Sequence, residues 1–274
     1  MIPSEAVRPC QVCGTFYPAK KTDLTVMMES LLDKGKKSGR SGSLRGLVLP
    51  HAGYIYSGPT AACGVKLLQK GEWTTVVVVS PSHREYFDGV SVYPGGAYGT
   101  PLGKIPINSA LRTRLLEETT LITASSQGHG AEHAIEVQLP LLQHALGDFS
   151  LLPIVIGNQT PTYCFELGRA LSAVCKGCLL VASTDLSHYH PATTAEKLDS
   201  IAVEDVRQFD FEKLMNDLED GSTEACGGGP TVAVMTALHQ MGAKRFEILD
   251  YSHSGNVTGD LDSVVGYLAA AAFA

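Results

Sequence analysis

Along most of the chain, short runs of apolar residues alternate with segments whose apolar residues recur at the spacing of one helix face. The runs predict buried strands, and the helically spaced segments predict helices between them. The predicted strands are 46–49, 74–80, 151–156, 179–183, 246–251 and 264–270. The predicted helices are 24–32, 58–71, 109–118, 135–146, 164–176, 195–209, 211–217 and 230–241. This alternation predicts a single α/β domain over residues 1–274, a three-layer α/β/α sandwich with a mostly parallel, mixed central sheet.

Three irregular stretches interrupt this pattern. Residues 89–93 and 102–107 alternate apolar with small or polar residues, and they predict a hairpin or edge strands beside the main sheet. The Gly- and Ser-rich stretch 35–43 predicts a loop. Pro140 falls inside a helical pattern, and we expect it to kink or divide that helix because proline removes a backbone donor.

The charge balance narrows the classes of partner. A formal net charge of −7 and a pI near 5.7 argue against nucleic-acid and anionic-membrane partners, since both need basic patches. The one basic cluster, at 34–45, is mixed with Gly and Ser and predicts a solvated loop. The chain shows neither an apolar run long enough to span a bilayer nor the pattern of a signal peptide at residues 1–5, so we expect a cytoplasmic protein.

The cysteines predict reduced thiols. Their number, seven, is odd, and without an export signal a disulfide framework is not expected. Cys10 with Cys13, and Cys175 with Cys178, form Cys-x-x-Cys pairs that together could imitate a four-thiolate zinc site. The pairs lie far apart in sequence, and Cys175 and Cys178 end an apolar helical pattern, so buried packing is the favoured interpretation.

Three predicted strands deliver a histidine just beyond their ends. His51 follows the first strand, His83 follows the second, and His188 comes after the strand at 179–183. Ligands of open α/β sheets bind beyond the carboxyl ends of the strands, where side chains from parallel strands converge. These histidines therefore predict one site. Neutral imidazole suits Zn, Fe, Cu or Ni, so the residue types alone do not name an ion.

Cys226 is a further candidate for this site. It precedes three glycines and Pro230, which we expect to be the first helical residue. A cysteine near a helix N-terminus has a lowered pKa, which favours a nucleophile or a metal ligand. A glycine-rich turn with an incidental thiol explains the pattern equally well, because spacing does not show whether Cys226 lies near the histidines.

Residues 129–133, His-Gly-Ala-Glu-His, match the H-x-x-E-H pattern of inverted zinc peptidases. That chemistry needs both histidines on one helix face. The glycines on either side of His129 predict that a helix begins only after it, which disfavours a peptidase. Tyr54 and Tyr56 alternate in a strand-like fragment, so both side chains would point into the pocket.

Motifs along almost the whole chain resemble the MEMO family, named for a mediator of cell motility. They are Gly14-Thr15-Phe16-Tyr17-Pro18, Pro50-His51-Ala52-Gly53-Tyr54 with Tyr56-Ser57-Gly58, Ser80-Pro81-Ser82-His83, Gly99-Thr100-Pro101-Leu102-Gly103, Glu132-His133-Ala134-Ile135-Glu136-Val137-Gln138-Leu139-Pro140, Ser183-Thr184-Asp185-Leu186-Ser187-His188 and Cys226-Gly227. The resemblance implies a relative of the class III extradiol dioxygenases, whose non-heme Fe(II) is held by two histidines and a glutamate. In the MEMO pattern a cysteine replaces that carboxylate.

The resemblance implies a role for each matching residue. The metal ligands would be His51, His83 and Cys226, and His188 would be the catalytic acid/base, with Asp185 on the same strand-end loop. The residues expected to line the pocket or to orient the ligands are Tyr54, Tyr56, Ser82, Glu132, His133 and Glu136. For His133 and Glu136, a helix cap or a salt bridge is an equally good interpretation.

Two functional hypotheses follow. The first is a metal-binding protein with iron or copper, zinc being a further choice, and a redox or dioxygenase-like activity on an unknown small molecule. Thiolate in place of carboxylate shifts the metal preference toward softer ions and argues against ring cleavage. The second is a non-catalytic module that binds a peptide or protein in the same cleft. The resemblance supports both, because family members act as signalling adaptors in animals, and prokaryotic ones tend to be encoded beside a radical-SAM enzyme.

Overall fold

The structure of the protein is a computed structural model that describes residues 3, 5–34 and 42–274. Most of the loop predicted at 35–43, and most of the basic cluster at 34–45, lies outside the described residues. Within the described part of the chain, no helix combines the length and apolar composition that crossing a bilayer requires.

The elements alternate along the chain much as the apolar pattern predicts. The strands are β1 (Val7–Arg8), β2 (Leu44–Leu49), β3 (Thr75–Pro81), β4 (Val90–Val92), β5 (Ala97–Thr100), β6 (Gly103–Pro106), β7 (Ile122–Ala124), β8 (Ser150–Ile156), β9 (Leu179–Ser183), β10 (Asp185–His190), β11 (Arg245–His253) and β12 (Val264–Phe273). The helices are α1 (Lys21–Lys34), α2 (Tyr54–Val65), α3 (Ser109–Glu118), α4 (Gln138–Leu146), α5 (Pro161–Val174), α6 (Ala192–Gln208), α7 (Phe211–Glu219), α8 (Gly228–Gln240) and α9 (Gly255–Thr258).

The main sheet of the described chain has nine strands in a mixed arrangement. Strands β2, β9, β3 and β8 lie side by side and are parallel. On one flank β12 pairs antiparallel with β2, and β11 pairs antiparallel with β12. On the other flank β4 pairs antiparallel with β8 and parallel with β7. The carboxyl ends of β2, β9 and β3 are therefore neighbours at one edge of the sheet.

Both faces of the sheet are covered, which confirms the predicted three layers. Side chains alternate between the faces along each strand. In β3, Val77 and Val79 pack in the core beneath α3, α5, α6, α7 and α8. Val76 and Val78 pack in the opposite core beneath α1, α2 and α4. A strand buried on both faces needs apolar residues at every position, which explains the continuous apolar runs.

The prediction of a hairpin or edge strands at 89–93 and 102–107 is wrong for the hairpin, because the two segments do not pair with each other, and wrong for the first segment as an edge strand. The first segment becomes β4 of the main sheet, where it lies between β8 and β7. The second becomes β6, which pairs with β5 in a separate three-stranded sheet with β1. Short strands separated by glycines and prolines carry little information about their partner, because pairing depends on distant segments.

Pro140 neither kinks nor divides a helix. Helix α4 begins at Gln138, so Pro140 lies in its first turn, where its missing N–H would have had no intrahelical partner. Helix α2 begins at Tyr54, four residues before the predicted start at 58. The backbone carbonyl of Gly53 accepts a hydrogen bond from Ser57 N at 3.1 Å, which closes the first turn of α2.

The expectation of reduced thiols is wrong for one pair of cysteines. Cys10 and Cys13 form a disulfide, whereas Cys63, Cys164, Cys175, Cys178 and Cys226 carry thiols. Cys175 and Cys178 are buried in the core beneath α5, as the packing interpretation predicted. Among the described residues, neither Cys-x-x-Cys pair belongs to a group of side chains close enough to share one ion.

Candidate metal centre

His51 lies just beyond β2, and its ring is held by a chain of hydrogen bonds. Its Nδ1 is 2.9 Å from Ser183 Oγ at the end of the neighbouring strand β9. The Ser183 hydroxyl donates its only proton to Ala134 O, at 2.7 Å, so it must accept from His51. The proton of His51 is therefore on Nδ1, and the unprotonated Nε2 faces the Cys226 sulfur, 3.2 Å away.

Gln138, the first residue of α4, fixes this arrangement. Its Nε2 donates to Ser183 Oγ at 2.8 Å and to Pro50 O at 2.9 Å. The serine hydroxyl then has two donors and one acceptor, and all three partners are buried. Hydrogen bonds to the remote nitrogen of a ligating histidine set its tautomer and raise its basicity.

His83 lies just beyond β3 and is held by Glu132. Its Nδ1 is 3.0 Å from Glu132 Oε1, and because a carboxylate only accepts, Nδ1 carries the proton. Glu132 Oε1 also accepts from His133 N at 2.8 Å and Ala134 N at 2.9 Å, and Oε2 accepts from His83 N. In both histidines, Nδ1 is therefore protonated and hydrogen-bonded, and Nε2 is unprotonated and points away from that hydrogen-bond partner.

Cys226 reaches the same place from the loop before α8. Its Sγ is 3.2 Å from His51 Nε2, and it accepts a hydrogen bond from Asp185 N at 3.3 Å. The next residue must be glycine, because a Cβ at Gly227 would lie 2.2 Å from Ser183 O. The glycines after Cys226 therefore let the backbone come close to β9, as the sequence suggested.

The ligand atoms of His51, His83 and Cys226 lie within 4.8 Å of one another. Two imidazole nitrogens and one sulfur at this separation fit a borderline or soft transition-metal ion, and both histidines carry the remote hydrogen bond typical of metal ligands. His83, Glu132 and His133 form a second such group. In this second group the Glu132 carboxylate already accepts hydrogen bonds from three backbone amides, so we assign Glu132 the role of orienting the histidines and not of binding an ion.

The electrostatics of the site differ from the sequence expectation. Burial lowers the pKa of His51 well below its usual value, and His83 and His133 add to this. Burial also raises the pKa of the Cys226 thiol, followed by the nearby Asp185. The predicted lowering by a helix N-terminus is wrong because α8 begins two residues later, at Gly228, and the desolvation of the thiol is stronger.

Glu132 stays ionised despite its burial. Burial alone would raise the pKa of its carboxyl, but the adjacent His133 and His83 together hold that pKa well below its usual range. Burial raises the pKa of Asp185, opposed by the hydrogen bond from His51 N to its Oδ1, at 2.7 Å. The site therefore combines an ionised carboxylate behind the histidines, that of Glu132, with a buried carboxyl, that of Asp185, whose pKa is raised.

A cavity of about 690 Å³ opens onto the histidines. The predicted site residues that line it are His51, Tyr56, His83, His133, Asp185 and His188. Phe16 also lines it and was missed by the sequence interpretation; its ring centroid is 4.8 Å from that of His133. Cys226 instead lines a second cavity, of about 500 Å³, and His188 lines both cavities.

Asp185 and His188 lie in a strand and not in a loop, which corrects the sequence interpretation. They belong to β10, which pairs antiparallel with β12 in an irregular register. Tyr189 has a φ of 63°, a left-handed conformation that is unusual for a bulky residue. Irregularities of this kind redirect side chains, and here the irregular segment carries His188 to the cavity wall.

Three residues expected at the pocket lie elsewhere. Tyr54 is buried and donates a hydrogen bond to Val137 O at 2.8 Å. In a helix, residues two apart point in nearly opposite directions, so of the two tyrosines only Tyr56 faces the cavity. Ser82 donates to Glu85 O at 2.6 Å. Glu136 is buried against the N-terminal segment, where it forms an ion pair with Arg8 at 2.7 Å.

The peptidase pattern does not build its site. Residues 129–133 form no helix, and His129 is buried, with Nδ1 2.6 Å from Tyr98 Oη. Burial lowers the pKa of His129 to about 3. His129 and His133 therefore have separate surroundings. The sequence interpretation did not identify Ser183 and Gln138 as residues that hold His51, although both lie within the family motifs. Polar residues at the ends of strands and helices are too common to be singled out from sequence.

Fold and site together define a class: an α/β protein with a His₂Cys group at the carboxyl ends of a mixed sheet. The sequence model of the Memo-like protein family matches residues 8–271. The chain belongs to this family, as its motifs predicted.

Relatives from distant organisms share most of the chain. A MEMO1 family protein from Thermoplasma acidophilum is 35% identical over 257 residues, covering 93% of this chain and 95% of its own. One from Thermotoga neapolitana is 36% identical over 277 residues, covering 96% and 99%. A crystal structure of an uncharacterized Escherichia coli K12 protein matches with a TM-score of 0.50 and 19% identity, covering 83% of this chain and 99% of that chain. That likeness supports the α/β fold alone.

Proposed function

We propose that the protein binds a transition-metal ion, iron or copper, through His51 Nε2, His83 Nε2 and Cys226 Sγ. The observation that carries this proposal is the convergence of the three ligand atoms within 4.8 Å, with both histidines protonated on the remote nitrogen. Such tautomers leave the lone pairs for a metal. The thiol has a raised pKa without an ion, and a cation beside the sulfur would stabilise its thiolate.

We propose that the site supports a redox reaction on a small molecule in the cavity of about 690 Å³. A bound iron or copper ion would supply one-electron chemistry and open coordination positions. His188 lines the same cavity and is the candidate for moving a proton to or from the substrate, because an imidazole ring can both donate and accept a proton. Asp185 lines the same cavity and accepts a hydrogen bond from the backbone N–H of His51.

Metal analysis of anaerobically purified protein tests the proposal. We expect bound iron or copper in the natural protein and its loss in Cys226→Ser and His83→Ala. His144→Ala is the matched control, because His144 lies on α4 outside the group of candidate ligands. Unchanged metal content in both site variants would contradict the assigned ligands.

The cavity also supports a second candidate, a module that binds a peptide or protein. Tyr189 is 76% exposed and Tyr56 is 36% exposed, and both line the cavity. Exposed aromatic side chains around a cleft are typical of recognition surfaces.

Oxygen uptake by the iron-loaded protein with catechols distinguishes a dioxygenase from the other possibilities, because ring cleavage requires O₂ consumption. A radical-SAM enzyme remains the proposed partner system.

A further inference from the structure

The Cys10–Cys13 disulfide lies outside the candidate metal centre. Both cysteines are partly exposed, and the bridge closes a Cys-x-x-Cys turn near the N-terminus. Cys13 packs against the core beneath α1, α2 and α4, whereas Cys10 does not belong to that cluster. A partly exposed disulfide within a four-residue turn is open to attack by an external thiol.

The turn offers two consecutive amides to one buried carboxylate. Gln11 N is 2.8 Å from Glu136 Oε2, and Val12 N is 2.9 Å from Glu136 Oε1. Consecutive N–H groups that converge on an anion need a concave backbone. The disulfide spans these two residues, so it restricts the turn to conformations near this one.

The same turn continues into a wall of the cavity. Phe16 N donates to Val12 O at 2.9 Å, and Phe16 O accepts from Tyr54 N at 2.8 Å, at the start of α2. The Phe16 ring lies against His133, with 4.8 Å between ring centroids. A change in the order of residues 10–13 therefore reaches the cavity through one short, hydrogen-bonded segment.

We propose that Cys10 and Cys13 form a redox-active pair that exchanges with thiols, and that their oxidation state controls the order of residues 10–17 at the cavity wall. The proposal does not depend on a bound metal. The oxidised pair holds the two amides on Glu136 and keeps Phe16 against His133. The reduced pair releases the turn, and the Phe16 wall becomes mobile.

The exchange balances with a dithiol as reductant. A thiolate of the reductant attacks Cys10 Sγ, the bond between Cys10 and Cys13 breaks, and the Cys13 sulfur leaves and takes up a proton. The second thiol of the reductant then attacks its own sulfur in the mixed disulfide and releases Cys10. The products are two cysteine thiols and the oxidised reductant. Cys10 is the assigned point of attack because Cys13 packs against the core.

Alkylation after treatment with dithiothreitol tests the exchange. The folded protein is reduced without denaturant, labelled with a maleimide, and digested for mass spectrometry. We expect a label on Cys10 and another on Cys13, and none on Cys175 or Cys178, which are buried and serve as internal controls. An unlabelled Cys10–Cys13 peptide from the folded protein would overturn the proposal.

Glutathione disulfide tests the order of attack. Cys13→Ser leaves Cys10 as the reacting thiol, and Cys10→Ser leaves Cys13. We expect the mixed disulfide with glutathione to form faster on the Cys13→Ser protein, because the remaining thiol lies outside the apolar cluster. Faster reaction of the Cys10→Ser protein would overturn the assignment of Cys10 as the point of attack.

Amide hydrogen exchange tests the coupling to the cavity wall. Protection of Gln11, Val12, Phe16 and Tyr54 is compared between the oxidised protein, the reduced protein and the Cys10→Ser/Cys13→Ser double variant. We expect loss of protection in the last two, with β3 unchanged as the reference. Equal protection in all three forms would overturn the proposed control and leave the disulfide as a passive cross-link.

Discussion

Glu132 and Glu136 stand four residues apart, and both are buried, but their carboxylates hold different parts of the molecule. Glu132 accepts from His83 Nδ1 and from the amides of residues 83, 133 and 134. Glu136 pairs with Arg8 and accepts from the amides of residues 11 and 12 and from Tyr17 Oη. One carboxylate therefore orients the candidate metal ligands, and the other fastens the N-terminal segment.

The difference arises because the chain between the two glutamates is not a helix. On a helix, residues four apart share a face and would serve the same region. Helix α4 begins only at Gln138, and residues 134–137 before it form hydrogen-bonded turns instead of a regular helix, so the two side chains diverge. Each carboxylate then meets a different set of amide donors. The spacing of two acidic residues therefore does not show that they act together.

The largest expected effect comes from Glu136→Gln. This change leaves the buried Arg8 without its counter-charge and turns an amide NH₂ toward N–H donors. Breaking a buried ion pair in this way costs about 3–5 kcal/mol. Urea unfolding measures the loss. The partly exposed pair of Glu118 with Arg169, 3.6 Å apart, is the control, and Glu118→Gln should cost less than about 1 kcal/mol. Equal losses would contradict the role of Glu136.

Glu132→Gln is expected to act mainly on metal affinity. The glutamine keeps one acceptor oxygen but holds His83 less firmly, and losing such a partner lowers metal affinity by roughly 10- to 100-fold. Competition with a chromophoric chelator measures the change. In the same assay the folded Glu136→Gln protein should bind metal as the natural protein does. A drop in affinity for both variants would show that the two carboxylates do not act separately.

Ser183→Ala is a smaller perturbation of the same centre. It removes the acceptor that fixes the proton of His51 on Nδ1, so the tautomer with an unprotonated Nε2, which can bind a metal, is less favoured. We expect metal affinity to fall about tenfold, the lower end of such effects. Ser82→Ala is the control, since Ser82 bonds only within its own loop. Similar affinities for the two variants would contradict the hydrogen-bond chain.

The smallest expected effect distinguishes two tyrosines. Tyr54→Phe removes the buried hydrogen bond to Val137 O, just after Glu136, and should lower the free energy of unfolding by about 1 kcal/mol. Tyr56→Phe should leave stability unchanged, because Tyr56 faces the cavity. Thermal unfolding of both variants measures the difference. Greater destabilisation by Tyr56→Phe would contradict the helical start of α2.

Several parts of the protein were predictable from the sequence. Periodicity predicted the layers and the approximate positions of most long elements, with both bounds right for 109–118 and 179–183, because burial of a helix face or a strand constrains every residue in it. The strand-end positions of His51 and His83 followed from the parallel sheet, and the motifs indicated the family. The extent of one domain over residues 1–274 stays a prediction.

Only the tertiary structure decided the contacts that give these residues their chemistry. The proton of His51 is placed by Ser183, 132 positions away, and the environment of the Cys226 thiol is set by burial beside Asp185. The partners of Glu136 and the direction of Tyr54 were likewise invisible in the sequence. Local patterns record which side of an element is buried, whereas hydrogen bonds and desolvation depend on which distant segments the fold brings to that side.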